Sequence, residues 1–92
     1  MYFGKFENFA RIIRDHYAIG IALNRQGINA YRLKDYAKAL SFHMGYLDML
    51  SEDYSFVTNY NVGVCLRHLG RYKEAIQYFE QSKHWAEIWH VR

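Results

Sequence analysis

The sequence predicts an all-α chain built as a stack of antiparallel helical hairpins, and three observations carry that expectation. No proline occurs in the 92 residues, so the commonest marker of loops and strand edges is missing. Apolar residues recur at three- and four-residue intervals, the period of a helix with one buried face. The chain also repeats itself: written beneath itself with an offset of 36, Gly27 falls on Gly63, Leu33 on Leu69, Tyr36 on Tyr72 and Ala39 on Ala75. Leu40 over Ile76 and Phe42 over Tyr78 match conservatively in the same frame. Self-similarity with a period of about 20 to 50 residues marks solenoids.

Taken in order, the elements are five helices near residues 3–14, 17–32, 36–50, 55–69 and 73–90. Phe3, Phe6, Phe9, Ala10 and Ile13 form one stripe, and Asn8 to Asp15 looks like the end of a helix entering a turn. Residues 1–15 are therefore expected to be half of a preceding repeat. Ile19, Leu23, Gln26, Gly27 and Ala30 continue at helical spacing until Arg32 to Asp35 breaks the pattern; Tyr36, Ala39, Leu40, His43, Leu47 and Leu50 resume it. That hairpin makes a first repeat over 16–51. A second, over 52–92, uses Val57, Tyr60, Val64 and Leu66 to Leu69, then Tyr72, Ala75, Ile76, Phe79 and Trp85 in a long last helix. Gly70, between its two helices, can take the left-handed conformation that ends a helix because it has no Cβ to clash. The three segments form one domain, since a chain of this length supports a single modest core.

The paired Gly, aromatic and Ala landmarks resemble the tetratricopeptide repeat family, whose pattern sets a Gly within the first helix, an aromatic opening the second and an Ala three residues on. Gly27, Tyr36 and Ala39, then Gly63, Tyr72 and Ala75, stand at those places. The stretches Asp35 to Leu40 and Gly70 to Ile76 look like the family's most recognisable segment. A small residue lets two helices approach closely and an aromatic fills the remaining space. The resemblance implies a right-handed superhelical α-solenoid with a protein-binding, non-catalytic role. Two departures stand out: the family's usual Pro after the second helix is missing, and the offset of 36 exceeds the standard of about 34, so longer inter-repeat turns are expected.

Composition narrows the function. At 51% hydrophobic and 23% charged, the chain is far from the polar mix that stays disordered. Its net charge of +3 is spread without a block of like charge, which argues against a dedicated nucleic-acid binder. Cys65 is alone, so no intrachain disulfide is available and a reducing, cytoplasmic setting is expected. No apolar stretch reaches the ~20 residues that span a bilayer, and the N-terminal residues lack a signal-peptide core, so no membrane role is expected.

No catalytic constellation emerges. His16, His43, His68, His84 and His90 are scattered without a paired motif; Cys65 and His68 share a helix face but supply only two of the four ligands that a structural zinc site needs. No cofactor or metal is expected. Gly27 and Gly63 lie within helices rather than in a phosphate-cradling loop, and Asp48, Glu52, Asp53, Glu74, Glu80 and Glu87 nominate no acid–base pair.

Two candidate surfaces follow. The resemblance implies a concave groove along the first helices of the hairpins, taking a peptide or helix of a partner protein and lined by Asn24, Ile28, Tyr31, Arg32, Tyr60, Asn61, Val64, Arg67 and His68. Asn61 matches a position that in the chaperone-tail-binding members holds a terminal carboxylate. The flanking Lys and Asn that complete that grip are replaced by Asn24 and Ile28, so terminal-carboxylate binding is not implied. The second surface is read from the residues: Phe79, Trp85, Ile88 and Trp89 lie on a last helix that no further helix follows, so they are expected to form an apolar docking face for a partner, adjoining repeats or a second copy. Self-assembly within a larger complex is thus a competing reading. A third comes from Val57 to Val62, with Leu69 to Ala75, which also resembles pentatricopeptide repeats and would imply single-stranded RNA; the first repeat does not share that beginning.

Overall fold

A computed structural model describes residues 2–90 of the chain, with side chains placed from residue 8 to residue 89. Four α-helices follow one another, α1 (Tyr2–Arg32), α2 (Tyr36–Met49), α3 (Phe56–His68) and α4 (Tyr72–His90), with a 3₁₀ turn at Glu52–Tyr54 between α2 and α3. Helix α1 packs on α2, α2 on α3 and α3 on α4, which gives two stacked hairpins. The all-helical stack of hairpins is the expected one, with four α-helices among the described residues in place of five.

The difference lies in α1. Helices expected over 3–14 and 17–32 are a single helix of 31 residues, Tyr2–Arg32, so no turn separates the segment expected to be a half-repeat from the first helix of the next repeat. Asp15, His16 and Tyr17 carry neither Gly nor Pro, and nothing in the covalent chain obliges a helix to stop there. Helix α2 has 14 residues, so at 1.5 Å per residue α1 is about 46 Å long against about 21 Å. Its N-terminal half projects beyond its partner. The radius of gyration, 15.8 Å, exceeds the roughly 12 Å of a compact chain of this length for that reason. Phe9, Ile12, Ile13, Tyr17 and Ile19 on the projecting part are exposed; Phe3 and Phe6 of the expected stripe lie outside the described side chains.

The turns within the two hairpins are the same turn. Asp35 N–H donates to the Ala30 carbonyl at 2.9 Å and Lys34 N–H to Tyr31 at 2.9 Å; 36 residues on, Arg71 N–H donates to Leu66 at 2.9 Å and Gly70 N–H to Arg67 at 3.0 Å. These bonds define a Schellman end, whose penultimate residue must be left-handed. Gly70 has φ +78° as expected, and its counterpart Lys34 has φ +63°. Asp35 then caps α2 by accepting from Lys38 N–H at 3.2 Å, whereas Arg71 in the same place binds Glu74 through two contacts of 2.5 and 2.9 Å.

The core follows the repeat as well. Ala30, Ala39 and Cys65 are buried together beneath Leu40 and Phe42. Val62, Leu66 and Ala75 form a second cluster against Leu40, Met44, Leu47, Tyr78 and Phe79. Leu40 reaches both clusters and ties the hairpins together. Where the inter-repeat segment was expected to be long, residues 50–55 contain the 3₁₀ turn. Ser55 Oγ donates to the Glu52 carbonyl at 2.5 Å and accepts from Asn59 Nδ2 at 2.9 Å, so the buried Asn59 amide is satisfied.

A candidate partner-binding pocket between the first helices

Gly27 and Gly63 set the distance between the helices of each hairpin. A Cβ on Gly27 would lie 2.7 Å from the His43 ring, and one on Gly63 would lie 2.6 Å from the Phe79 ring. His43 and Phe79 are themselves 36 apart, so each unit threads a ring from its second helix across the glycine of its first. Phe79 also meets Tyr60, with ring centroids 5.7 Å apart.

On the α1 and α3 side of these contacts lies a cavity of about 430 Å³, lined by Ile28, Tyr31 and Arg32 from α1, by Tyr60, Asn61, Val64, Cys65 and Arg67 from α3, and by His43 from α2. Most of the residues expected to line the groove thus meet around one depression. Two do not. Asn24 is half-buried on α1 away from this lining. His68 serves the junction of the hairpins instead: its ring stacks on Tyr36 at 4.1 Å and 3°, and its Nε2 shares a hydrogen bond of 3.0 Å with the Tyr31 hydroxyl.

His43 and Cys65 were not among the expected lining residues. His43 belongs to a second helix, and only the missing side chain of Gly27 lets its ring reach the cavity. The His43 ring is 2% exposed, its Nδ1 has no hydrogen-bond partner, and burial pushes its pKa down. Burial raises the Cys65 thiol, which keeps it protonated and a poor nucleophile. Tyr60 and Arg67 are exposed at the rim, Val64 is nearly covered, and the lining holds two arginines and no carboxylate.

The expected docking face on the last helix is corrected by the structure. Phe79, Trp85, Ile88 and Trp89 are all half-buried rather than open. Phe79 covers Gly63; Trp85 lines a cleft with Leu47, Leu50 and Asn59. The Trp89 indole N–H donates to the Asp53 carbonyl and its ring lies 5.2 Å from Tyr54. The 3₁₀ turn therefore folds over the end of α4 and satisfies an indole that the sequence left open. The exposed apolar residues of α4 are Tyr72 and Ile76 instead.

Among the described residues no three His, Cys, Asp or Glu side chains gather as a metal site, and no described helix is long and apolar enough to cross a membrane. Of the stretch Val57 to Val62 that carries the likeness to RNA-reading repeats, Thr58, Asn59 and Val62 are buried in the hairpin, while Tyr60 and Asn61 line the cavity.

A family model described as Tetratricopeptide repeat matches residues 57–84, nearly all of α3 and the first two thirds of α4. No curated protein and no solved structure matches the chain.

Proposed function

We propose that this chain is a non-catalytic interaction module that holds an extended segment of a partner protein in the α1–α3 pocket; in support, residues 57–84 match the model of the tetratricopeptide repeat, a unit that generally mediates contacts between proteins. The pocket itself carries the reading: Ile28, Tyr31, Tyr60 and Val64 offer apolar surface beside the hydrogen-bonding side chains of Asn61, Arg32 and Arg67. An apolar cavity with a few converging polar groups is the usual form of a recognition site. Exposed tyrosines contribute large contact areas with little side-chain freedom to lose.

The test is capture of short peptides from a random array by the full chain and by Ile28→Asp and Tyr60→Asp variants. Both positions are partly exposed, so the fold tolerates the change. Capture by the native chain that each variant reduces by about tenfold or more, the equivalent of ~1.4 kcal/mol, is the expected result. Equal capture by all three would reject the pocket as the binding surface.

A second reading, association between copies, has one observation behind it. Phe9, Ile12, Ile13, Tyr17 and Ile19 leave apolar surface exposed on α1, and contiguous apolar surface commonly marks an interface. Light scattering across a concentration series should then show an oligomer that a Phe9→Glu, Ile13→Glu variant reduces to monomer. A monomer at every concentration would end this reading.

A further inference from the structure

The two hairpins place different rings across their glycines. In the second hairpin the ring across the glycine is Phe79; in the first it is His43, whose ring carbon and both ring nitrogens are the atoms nearest the Gly27 site. The polar ring has no partner for Nδ1 and lines the cavity together with Arg32 and Arg67. Neither arginine is in an ion pair among the described residues; the pairs found are Arg71 with Glu74 and Lys83 with Glu87. A pocket with a basic rim, a polar ring at its floor and no carboxylate of its own is complementary to an acidic ligand.

We propose that the pocket takes a segment of a partner protein in which an Asp or Glu side chain stands beside an apolar one. The carboxylate lies between Arg32 and Arg67, and the apolar neighbour rests on Ile28, Tyr60 and Val64. This inference rests on the pocket being the binding surface. Guanidinium groups suit such a carboxylate because their N–H fork matches its two oxygens. The carboxylate belongs to a side chain rather than to a chain end, since an extended segment that crosses the depression runs on at both sides.

The experiment uses the full chain and an array of random heptapeptides with acetylated N-termini, printed once with amidated and once with free C-termini. Among captured amidated peptides, Asp and Glu next to an apolar residue should be enriched about threefold or more over the array. The Arg32→Gln, Arg67→Gln variant should lose that enrichment while keeping its helical circular dichroism and melting temperature. Affinity for a captured peptide should fall roughly tenfold between low and high salt, as expected of a charge pair partly open to solvent. Captured peptides with no acidic enrichment, or enrichment unchanged by the double variant, would overturn the inference and leave the pocket reading standing. Enrichment confined to free C-termini would overturn it in favour of a terminal carboxylate. Absence of capture, or capture unaffected by Tyr60→Asp, would remove the pocket reading and this inference together.

Discussion

Residues 34 and 70 occupy the same left-handed corner, yet one is Lys and the other Gly. A non-glycine residue pays about 1 kcal/mol or more there, so Lys34→Gly is expected to stabilise the chain by about 0.5–1 kcal/mol, and Gly70→Ala to destabilise it by about 1 kcal/mol, in urea titrations followed by circular dichroism. At Gly63, Ala would bring its Cβ to 2.6 Å from Phe79, and overpacking of this kind costs typically 1–3 kcal/mol. Shortening the ring in a Gly63→Ala, Phe79→Leu double variant should recover part of the loss. His43 adds a pH dependence. Burial lowers its folded-state pKa below the unfolded value, so the unfolded chain binds more protons once the pH drops below about 6.5. The stability should therefore decline as the pH falls through that value and level off below the folded pKa. His43→Phe, which copies the second hairpin, should remove this component; an unchanged pH profile would mean that His43 is not its source.

Among the elements, α1 divides into two parts with different fates. From Gly20 to Ala30 it is held by α2, with Gly20, Gly27 and Ala30 buried, whereas residues 11–19 are exposed throughout. Helices without tertiary packing are marginal in water. Amides of residues 9–16 are thus expected to exchange with solvent orders of magnitude faster than those of residues 23–30, read by hydrogen-exchange mass spectrometry; uniform protection along α1 would show that a second surface covers the projecting half. Helix α3 is the opposite case, with Thr58, Asn59 and Val62 to Leu66 all buried. It packs on a helix of each hairpin, so its exposed residues Val57, Tyr60, Arg67 and His68 are confined to one stripe.

For the molecule as a whole, stability is a matter of how firmly one hairpin binds the other. Stacked repeats behave as units coupled through their nearest-neighbour interfaces. Here Leu40 joins the two buried clusters, and Tyr31, Tyr36 and His68 form an aromatic lock at the same junction. His68→Ala should weaken that coupling, seen as a shallower urea transition and as tyrosine fluorescence and helical signal that no longer coincide. A steep, coincident transition in the variant would locate the coupling in Leu40 and its neighbours instead.

Local sequence determined the helices, the hairpin turns and the repeat itself. Those features follow from short-range spacing, from Gly70 at a left-handed corner, and from small residues at Gly27, Ala39, Gly63 and Ala75 that packing demands. Most of the pocket lining was legible through the family resemblance, because Ile28 and Val64, or Tyr31 and Arg67, stand at the same offsets from the two glycines. Tertiary structure alone decided the rest. Whether α1 breaks near residue 16 depends on whether another helix lies there to pack against, which no residue in the stripe encodes. Trp85 and Trp89 read as an open apolar face until the 3₁₀ turn supplied a carbonyl for the indole and Tyr54 for its ring. His43 entered the pocket from the second helix because Gly27 left room for it: a vacancy at one residue matters only once the fold brings a distant ring across it.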